Sequence, residues 1–185
     1  MLIGENIKLR PLKMSDLEKS HEWRNNIEII KMTQGIRFPK TFEMDKDWFD
    51  YTLNDKSNRH IYFGIDKLDN NEFVGIIQLN NIDYISGTAN WGFIVGDKKN
   101  RGNNVSVEAP TLLFNYAFKV LNLKKLLGYT ISLNRATFFM LLTIGNFKHE
   151  GTLKKQVFFD DKYHDVLIHS MFKEDFVKKE EKKNN

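Results

Sequence analysis

Between Ala89 and Leu121 the chain reads ANWGFIVGDKKNRGNNVSVEAPTLLFNYAFKVL: a short apolar strand, a turn of amides and glycine, then an amphipathic helix. That order is the layout of a phosphate-cradling turn. Val105, Ala109, Leu112, Leu113, Tyr116, Ala117, Val120 and Leu121 keep the helical period of one buried face, so the helix rests on spacing. Its amino end points back at the turn. Free backbone N–H groups and the positive end of the macrodipole meet at residues 101 to 106, beside Lys98, Lys99 and Arg101. A phosphate-bearing cofactor is the first expectation.

The 185 residues suit one domain with its own core. Fifteen Phe promise a core of large side chains or an apolar cleft. With no Cys, disulfides, thiolate metal sites and a cysteine nucleophile are excluded, and no metal site is expected. The start MLIGENIKLR has no apolar signal region, and no run of about 18 apolar residues occurs. A soluble cytoplasmic protein with no membrane partner is expected. Half of the net charge of +4 sits in the terminal KKEEKK, Lys178 to Lys183. The nearly neutral body argues against nucleic acid as a primary partner.

Along the chain, Asn6 to Leu12 alternates as an opening strand stopped at Pro11. Ser15 with Glu18 reads as a capping box opening a helix from about Asp16 to Arg24. A second helical piece spans Ile27 to Met32, Gly35 and Pro39 break the chain, and Thr41 opens a third helix carrying Phe42, Trp48, Phe49 and Leu53. HIYFGID, EFVGIIQLNNID and GTANWGFIVG follow as antiparallel strands. After the long helix come a strand at Lys125 to Ser132, a helix from Asn134 to about Ile144, and closing strands at Thr152 to Phe159 and Tyr163 to Phe172. Pro110 lies inside the long helix, which must kink there or begin its regular part near Glu108. A domain over residues 1–173 and a charged tail over 174–185 are expected.

This order resembles the GNAT acetyltransferase superfamily over essentially the whole chain. Asn134, Gly145, Phe147, Glu150, Gly151, Leu153, Tyr163 and Asp165 look like the closing half of its ribosomal-protein N-acetyltransferase branch. HEWRNNIEI, His21 to Ile29, is similar to a segment of amino-sugar acetyltransferases of bacterial surface-glycan pathways, including the pseudaminic-acid type. The resemblance implies an α+β fold with one mixed, mostly antiparallel sheet of about seven strands flanked by helices, splayed between the fourth and fifth strands. It implies acetyl-CoA as acyl donor. The pantetheine would lie on the strand ending Phe93, Ile94 and Val95. The pyrophosphate would sit on Lys99, Arg101, Gly102, Asn103, Asn104, Val105 and Ser106, with Asn134 also on the cofactor. Two departures stand out. Asn104 replaces a small residue whose size lets backbone approach phosphate, and Leu141 stands where many members place a Tyr that protonates the departing thiolate.

Direct acyl transfer needs a neutral amine, an oxyanion donor and alignment of the two reactants. The donor is expected to be a backbone N–H near Phe93 to Val95. Base candidates are Glu22, His60, Asp83 and His149, and spacing forces none of them. Glu22 with Arg24 also reads as a surface pair, Asp83 as a turn residue, and His60 and His149 as ordinary strand histidines. Trp23, Arg24 and Asn25 are expected to form a substrate wall in which Arg24 pairs a diphosphate, with Tyr84 and Trp91 stacking a ring. The acceptor expected is a small-molecule amine, foremost a nucleotide-linked amino sugar. A peptide or ribosomal-protein N-terminus is the alternative, and a catalytically inactive acyl-CoA-binding module is the reading from another class. A homodimer through the edge of Val166 to Phe172 is a further possibility.

Overall fold

The computed structural model describes residues 1–33, 38–101, 104–145 and 147–176. Gly35, Gly102, Asn103 and all of the expected tail beyond residue 176 lie outside the described residues. Strands β1 (Leu2–Ile3), β2 (Ile7–Pro11), β3 (Ile61–Lys67), β4 (Phe73–Asp83), β5 (Thr88–Val95), β6 (Lys125–Ile131), β7 (Lys148–Phe159) and β8 (Lys162–Phe172) form one sheet. Its order is β1-β2-β3-β4-β5-β6-β8-β7. Every neighbouring pair is antiparallel except β5 and β6, which are parallel. The expected α+β class and mixed sheet hold. The two-residue β1 raises the count of strands from about seven to eight.

Two helical layers cover the sheet. Helices α1 (Leu17–Arg24), α2 (Ile27–Thr33) and α3 (Phe42–Leu53) bury Leu17, Trp23, Ile29 and Phe49 against Phe73 and Ile76 of β4. Helix α4 (Val105–Asn115), a π-helical turn at Tyr116–Val120 and helix α5 (Arg135–Ile144) build the larger core on the other face, with Ile77, Leu79, Trp91 and Leu126. Phe176 is buried there beside Phe114 and Phe118, so the packed body runs past the expected boundary at 173.

Helix α4 runs unbroken through Pro110, with helical backbone already at Asn104. The irregular stretch before Glu108 that a later start would require is therefore not formed. Pro110 deprives the Ser106 carbonyl of its intrahelical donor, and burial of Ala109, Leu113 and Phe114 holds the helix together across that gap. Helix α1 begins at Leu17 with Asp16 rather than Ser15 at its N-cap position, and no side-chain cap bond is made there. The Asp16 carboxylate accepts the Lys13 N–H at 3.0 Å because Arg10 draws it inward.

The parallel pairing of β5 with β6 covers only Thr88↔Lys125, Ala89↔Leu126 and Asn90↔Leu127. Beyond it β6 stays paired to β8 as far as Ile131↔Val166, while Trp91–Val95 of β5 has no strand partner on that side. The sheet opens into a notch with its closed end at Trp91 and Gly128. This is the expected splay. Strand β8 is paired on both sides, so Val166–Phe172 is not a free edge and the expected dimer contact through it is not available. The outer edge is β7, where a register shift between Leu153 and Val157 and a positive φ at Lys155 bend a lysine-bearing strand away from flat pairing.

Candidate functional site

The notch widens into a cleft of about 390 Å³ that passes between the two faces of the sheet. Toward α1–α3 its wall is Trp23, Arg24, Lys40, Trp48 and Tyr62. Toward α4 and α5 it is Trp91, Phe93, Gly128, Thr130, Asn134 and His169. The parity of β5 sets this division: Trp91 and Phe93 point to the α4 side, and Gly92 and Ile94 to the other.

Arg24 is held by sequence-distant partners. Its guanidinium lies over the Trp48 ring at 4.2 Å, and its Nε is 2.9 Å from Oδ1 of Asp45, which is wholly buried on α3. The Nε–H is not directed at that oxygen, so the contact is an ion pair without a hydrogen bond. Oδ2 of Asp45 takes Nδ1 of His21 at 2.8 Å. Burial lowers the Arg24 pKa, Asp45 opposes that shift, and burial raises Tyr62 across the cleft. The terminal guanidinium nitrogens bond no other described residue, and Lys40 Nζ has no ion-pair partner among them.

On the opposite wall His169 Nε2 lies 2.7 Å from Thr130 Oγ1. Its Nδ1 and the Trp91 Nε1 are buried without hydrogen-bond partners among the described residues. Desolvation first, and His149 second, push the His169 pKa down to about 4, so its ring is neutral at physiological pH. Gly128 makes room for both rings, since a Cβ there would fall 2.2 Å from His169 Cε1 and 2.7 Å from Trp91 Nε1.

Of the expected site residues, Trp23, Arg24, Trp91, Phe93, Ile94 and Asn134 line the cleft. Asn134 also caps α5 through the Thr137 N–H and donates to the Met32 carbonyl, tying α5 to the end of α2. Trp23 is largely core, packed on Phe73 with ring centroids 5.0 Å apart. Asn25 does not reach the cleft, because its amide exchanges two hydrogen bonds with the backbone of Lys40 and so positions that lysine. Glu22 is exposed on α1 away from the cleft. His60 borders a separate small hollow and contacts Asn80 at 3.3 Å. Asp83 is a turn residue: its carboxylate accepts the N–H groups of Ile85 and Ser86, and these bonds lower its pKa. The Tyr84 hydroxyl donates to the Asn58 carbonyl at an exposed loop. None of these three is placed to meet an acceptor amine in the cleft. His149 is exposed on β7, opposite His169.

The expected phosphate turn departs from its reading in two side chains. Arg101 folds back, donating from Nε to the Val95 carbonyl and from Nη2 to the Gly96 carbonyl, so it braces the end of β5. Lys99 is ion-paired with Glu72 at 3.0 Å. What faces outward is the start of α4, where Asn104 accepts from Val107 and Glu108 and the N–H groups of Val105 and Ser106 have no acceptor within the helix. Together with exposed Lys98 and the unpaired edge Trp91–Val95, this offers an anion end and a strand-like groove, which fits an extended thioester carrying a diphosphate.

Trp48, Tyr62, Gly128, Thr130 and His169 escape the sequence reading. The signal for His169 is a titratable residue at an inward position of the apolar run VLIHSM, where a strand facing a core has no other reason to carry one. Gly96 reports the tightness of the wall. A Cβ there would lie 1.8 Å from Trp23 Cε2, and the Gly96 N–H is fixed on the Val74 carbonyl at 2.9 Å. Gly96→Ala is expected to displace the indole, lowering stability by about 1–3 kcal/mol. A denaturation midpoint equal to wild type would show that Trp23 is free to swing aside.

Comparison with known proteins places this geometry. The family model described as the Acetyltransferase (GNAT) domain matches residues 6–145. Spermidine N(1)-acetyltransferase of Escherichia coli K12 is 25% identical over 174 residues, spanning 94% of this chain and 90% of that protein. Spermidine N-acetyltransferase from Vibrio cholerae, solved with CoA and spermine, superposes with a TM-score of 0.84 at 20% identity over 92% of this chain and 98% of its own. A dodecameric structure of the Vibrio cholerae enzyme gives 0.74 at 21% identity over 90% and 94%. Among the described residues no helix is long and apolar enough to cross a membrane. By the match over most of its length, the chain belongs to the GNAT acetyltransferase family and is an acetyl-CoA-dependent N-acetyltransferase.

Proposed function

We propose that the chain transfers the acetyl group of acetyl-CoA to the amine of a small acceptor that also carries an anionic group, a nucleotide-linked amino sugar being the foremost member of that class. The observation that carries this is the charge of the cleft. Its lining includes Arg24 and Lys40 and, among the described residues, no carboxylate. A guanidinium fixed on Trp48, together with an ammonium that has no ion-pair partner among the described residues, suits a phosphate or carboxylate. Trp48 and Tyr62 supply aromatic faces for a sugar or base ring. A sugar amine has a lower pKa than an alkyl ammonium, so it needs little help in losing its proton, which fits a wall without a dedicated carboxylate base.

In this reading the thioester lies along the free edge of β5, with backbone N–H groups near Phe93 to Val95 placed for the developing oxyanion. The acceptor enters from the α1–α3 side and meets the acyl carbon in the notch, so alignment of the two reactants supplies much of the rate. A polyamine acceptor is the second reading, favoured by the names of the Escherichia coli and Vibrio cholerae proteins. It would require each further ammonium to be buried or left in solvent without a carboxylate partner in the cleft. The dodecameric neighbour supports self-association, which the bent β7 edge would not mediate.

Thiol release in the presence of acetyl-CoA, measured with UDP-amino sugars, spermidine and N-terminal peptides, separates the acceptors. Turnover of the nucleotide sugar is expected. Arg24→Ala should raise KM for it about tenfold or more, as loss of a charge-assisted hydrogen bond does, with acetyl-CoA affinity unchanged. Efficient turnover of spermidine with none of the sugar nucleotide would replace this reading with the polyamine one.

A further inference from the structure

At the closed end of the notch the two unsatisfied nitrogens converge. Trp91 and His169 are 7% and 6% exposed, yet Trp91 Nε1 and His169 Nδ1 have no hydrogen-bond partner among the described residues and both side chains line the cleft. The position a Gly128 Cβ would take lies 2.7 Å from the first nitrogen, 2.9 Å from the second and 2.2 Å from His169 Cε1, so both rings close on the bare Gly128 backbone and stand beside each other only because that residue has no side chain. Leaving one buried polar group unpaired costs stability, and leaving two beside each other in a cleft points to an atom that arrives from outside.

The polarity of the pair follows from bonding. Indole nitrogen is only a donor. If the Thr130 hydroxyl donates to His169 Nε2, its proton is used and the ring carries its own on Nδ1. In the opposite tautomer both the hydroxyl proton and Nδ1 would be left unpaired. Two N–H donors therefore face the same space, and their complement is an electron-rich atom. A neutral ring, as burial imposes on His169, donates without bringing a charge that would need its own partner.

We propose that Trp91 Nε1–H and His169 Nδ1–H form a two-donor site for the sulfur of the acyl thioester, binding it as it leaves as thiolate. The proposal rests on the reading that the coenzyme lies along β5. With its diphosphate at the start of α4, the arm runs from Val95 toward Trp91, and its far end meets the closed end of the notch. In the reaction the acceptor nitrogen forms its bond to the acyl carbon and the C–S bond breaks. The electron pair stays on sulfur, and the proton lost from nitrogen goes to water. Sulfur is the atom that ends with the full charge, and it is large and weakly hydrated. The walls suit it: Phe93 lies 6.1 Å from Trp91 and Phe147 lies 5.5 Å from His169, centroid to centroid. Leu141, buried on α5 in the same core, offers no proton to that sulfur. Donors that stabilise the thiolate take the place of an acid that protonates it.

The test uses the full chain and free CoA. Binding is followed by calorimetry, and ionisation of the bound thiol by the ultraviolet absorbance of the thiolate across pH. A thiol of ordinary pKa near about 8.5 is expected to ionise about one unit lower when bound. The shift should largely vanish in Trp91→Phe, which keeps the ring and removes the donor, and in Thr130→Val, which releases the tautomer. Each variant should lower kcat with acetyl-CoA about tenfold to a hundredfold while the Kd for CoA stays within about twofold. Gly128→Ala, whose Cβ would fall 2.2 Å from His169 Cε1 and 2.7 Å from Trp91 Nε1, should displace both donor rings and lower kcat as well. CoA bound with its thiol at the free value, or a lowered value that survives Trp91→Phe and Thr130→Val, overturns the two-donor site alone. No binding of CoA overturns the cofactor placement as well.

Discussion

Arg10→Met is expected to destabilise the protein by about 3–5 kcal/mol, the range for removing one partner of a buried ion network. Arg10 is 8% exposed and grips two carboxylates: Nη1 and Nη2 take Asp16 at 2.6 and 2.7 Å, and Nε and Nη2 take Asp66 at 2.7 and 2.9 Å. Desolvation alone would lower the pKa of the guanidinium, but the two carboxylates outweigh it and the net direction is upward. The Arg10 side chain also lies over Phe73 at 5.3 Å and fills the space that Gly64 leaves, where a Cβ would come within 2.5 Å of Nη1. Methionine restores much of the volume and none of the charge, so Asp16 and Asp66 are left facing each other in a dry interior. Equilibrium denaturation by urea is the measurement. Adding Asp16→Asn and Asp66→Asn to Arg10→Met should recover part of the loss, because it removes the uncompensated charges. A single variant within 1 kcal/mol of wild type would mean that water reaches this network.

This network shows where sequence reading runs out. The strands and the helix after β5 follow from periodicity and turn residues, which act over a few positions and can be read in order, whereas the splay comes only with the family resemblance. Arg10, Asp16 and Asp66 come together across 56 residues, and nothing in NIKLRPL marks Arg10 as an inward position except its neighbours. Asp45 with Arg24 is the same case, a carboxylate that looks like the polar face of an amphipathic helix and is wholly buried. At the site, the cleft-lining residues legible in advance are those carried by the strand itself, Trp91, Phe93 and Ile94, by the α1 segment, Trp23 and Arg24, and by the start of α5, Asn134. The base candidates Asp83 and His60 stand outside the cleft lining, and each has a local partner, since an Asp or His near a strand end bonds its neighbours as readily as it serves chemistry. Asp83 closes its own turn, and Tyr84 bonds a loop carbonyl. His169 was hidden by the opposite logic, since its partner Thr130 lies on another strand and only the β6–β8 register brings the two together.

Acid is expected to weaken the fold through His169. In the native protein its pKa is pushed down to about 4, by burial first and by repulsion from His149 across β7 second, against an ordinary value of 6.5. The groups packed on the ring are Trp91, Phe147, Thr130 and the backbone of Gly128, and none supplies a negative charge. Above about pH 6.5 neither state binds the proton, and the contribution of this histidine to stability is fully present. Between about 6.5 and 4 the unfolded chain takes up a proton that the native protein refuses, so stability falls as pH falls, by about 3 kcal/mol over the window. Below about 4 both states are protonated and the loss levels off. His169→Gln, which cannot titrate, should flatten this part of the profile while leaving the acid sensitivity of the carboxylates in place. The difference between wild-type and His169→Gln unfolding free energies, followed from pH 7 to pH 4, isolates the effect. A difference that stays constant with pH would mean the imidazole takes up its proton at the same pH in the native and unfolded states, in which case the fold does not desolvate the ring and His169 meets the leaving sulfur as an ordinary titrating histidine rather than as a fixed neutral donor.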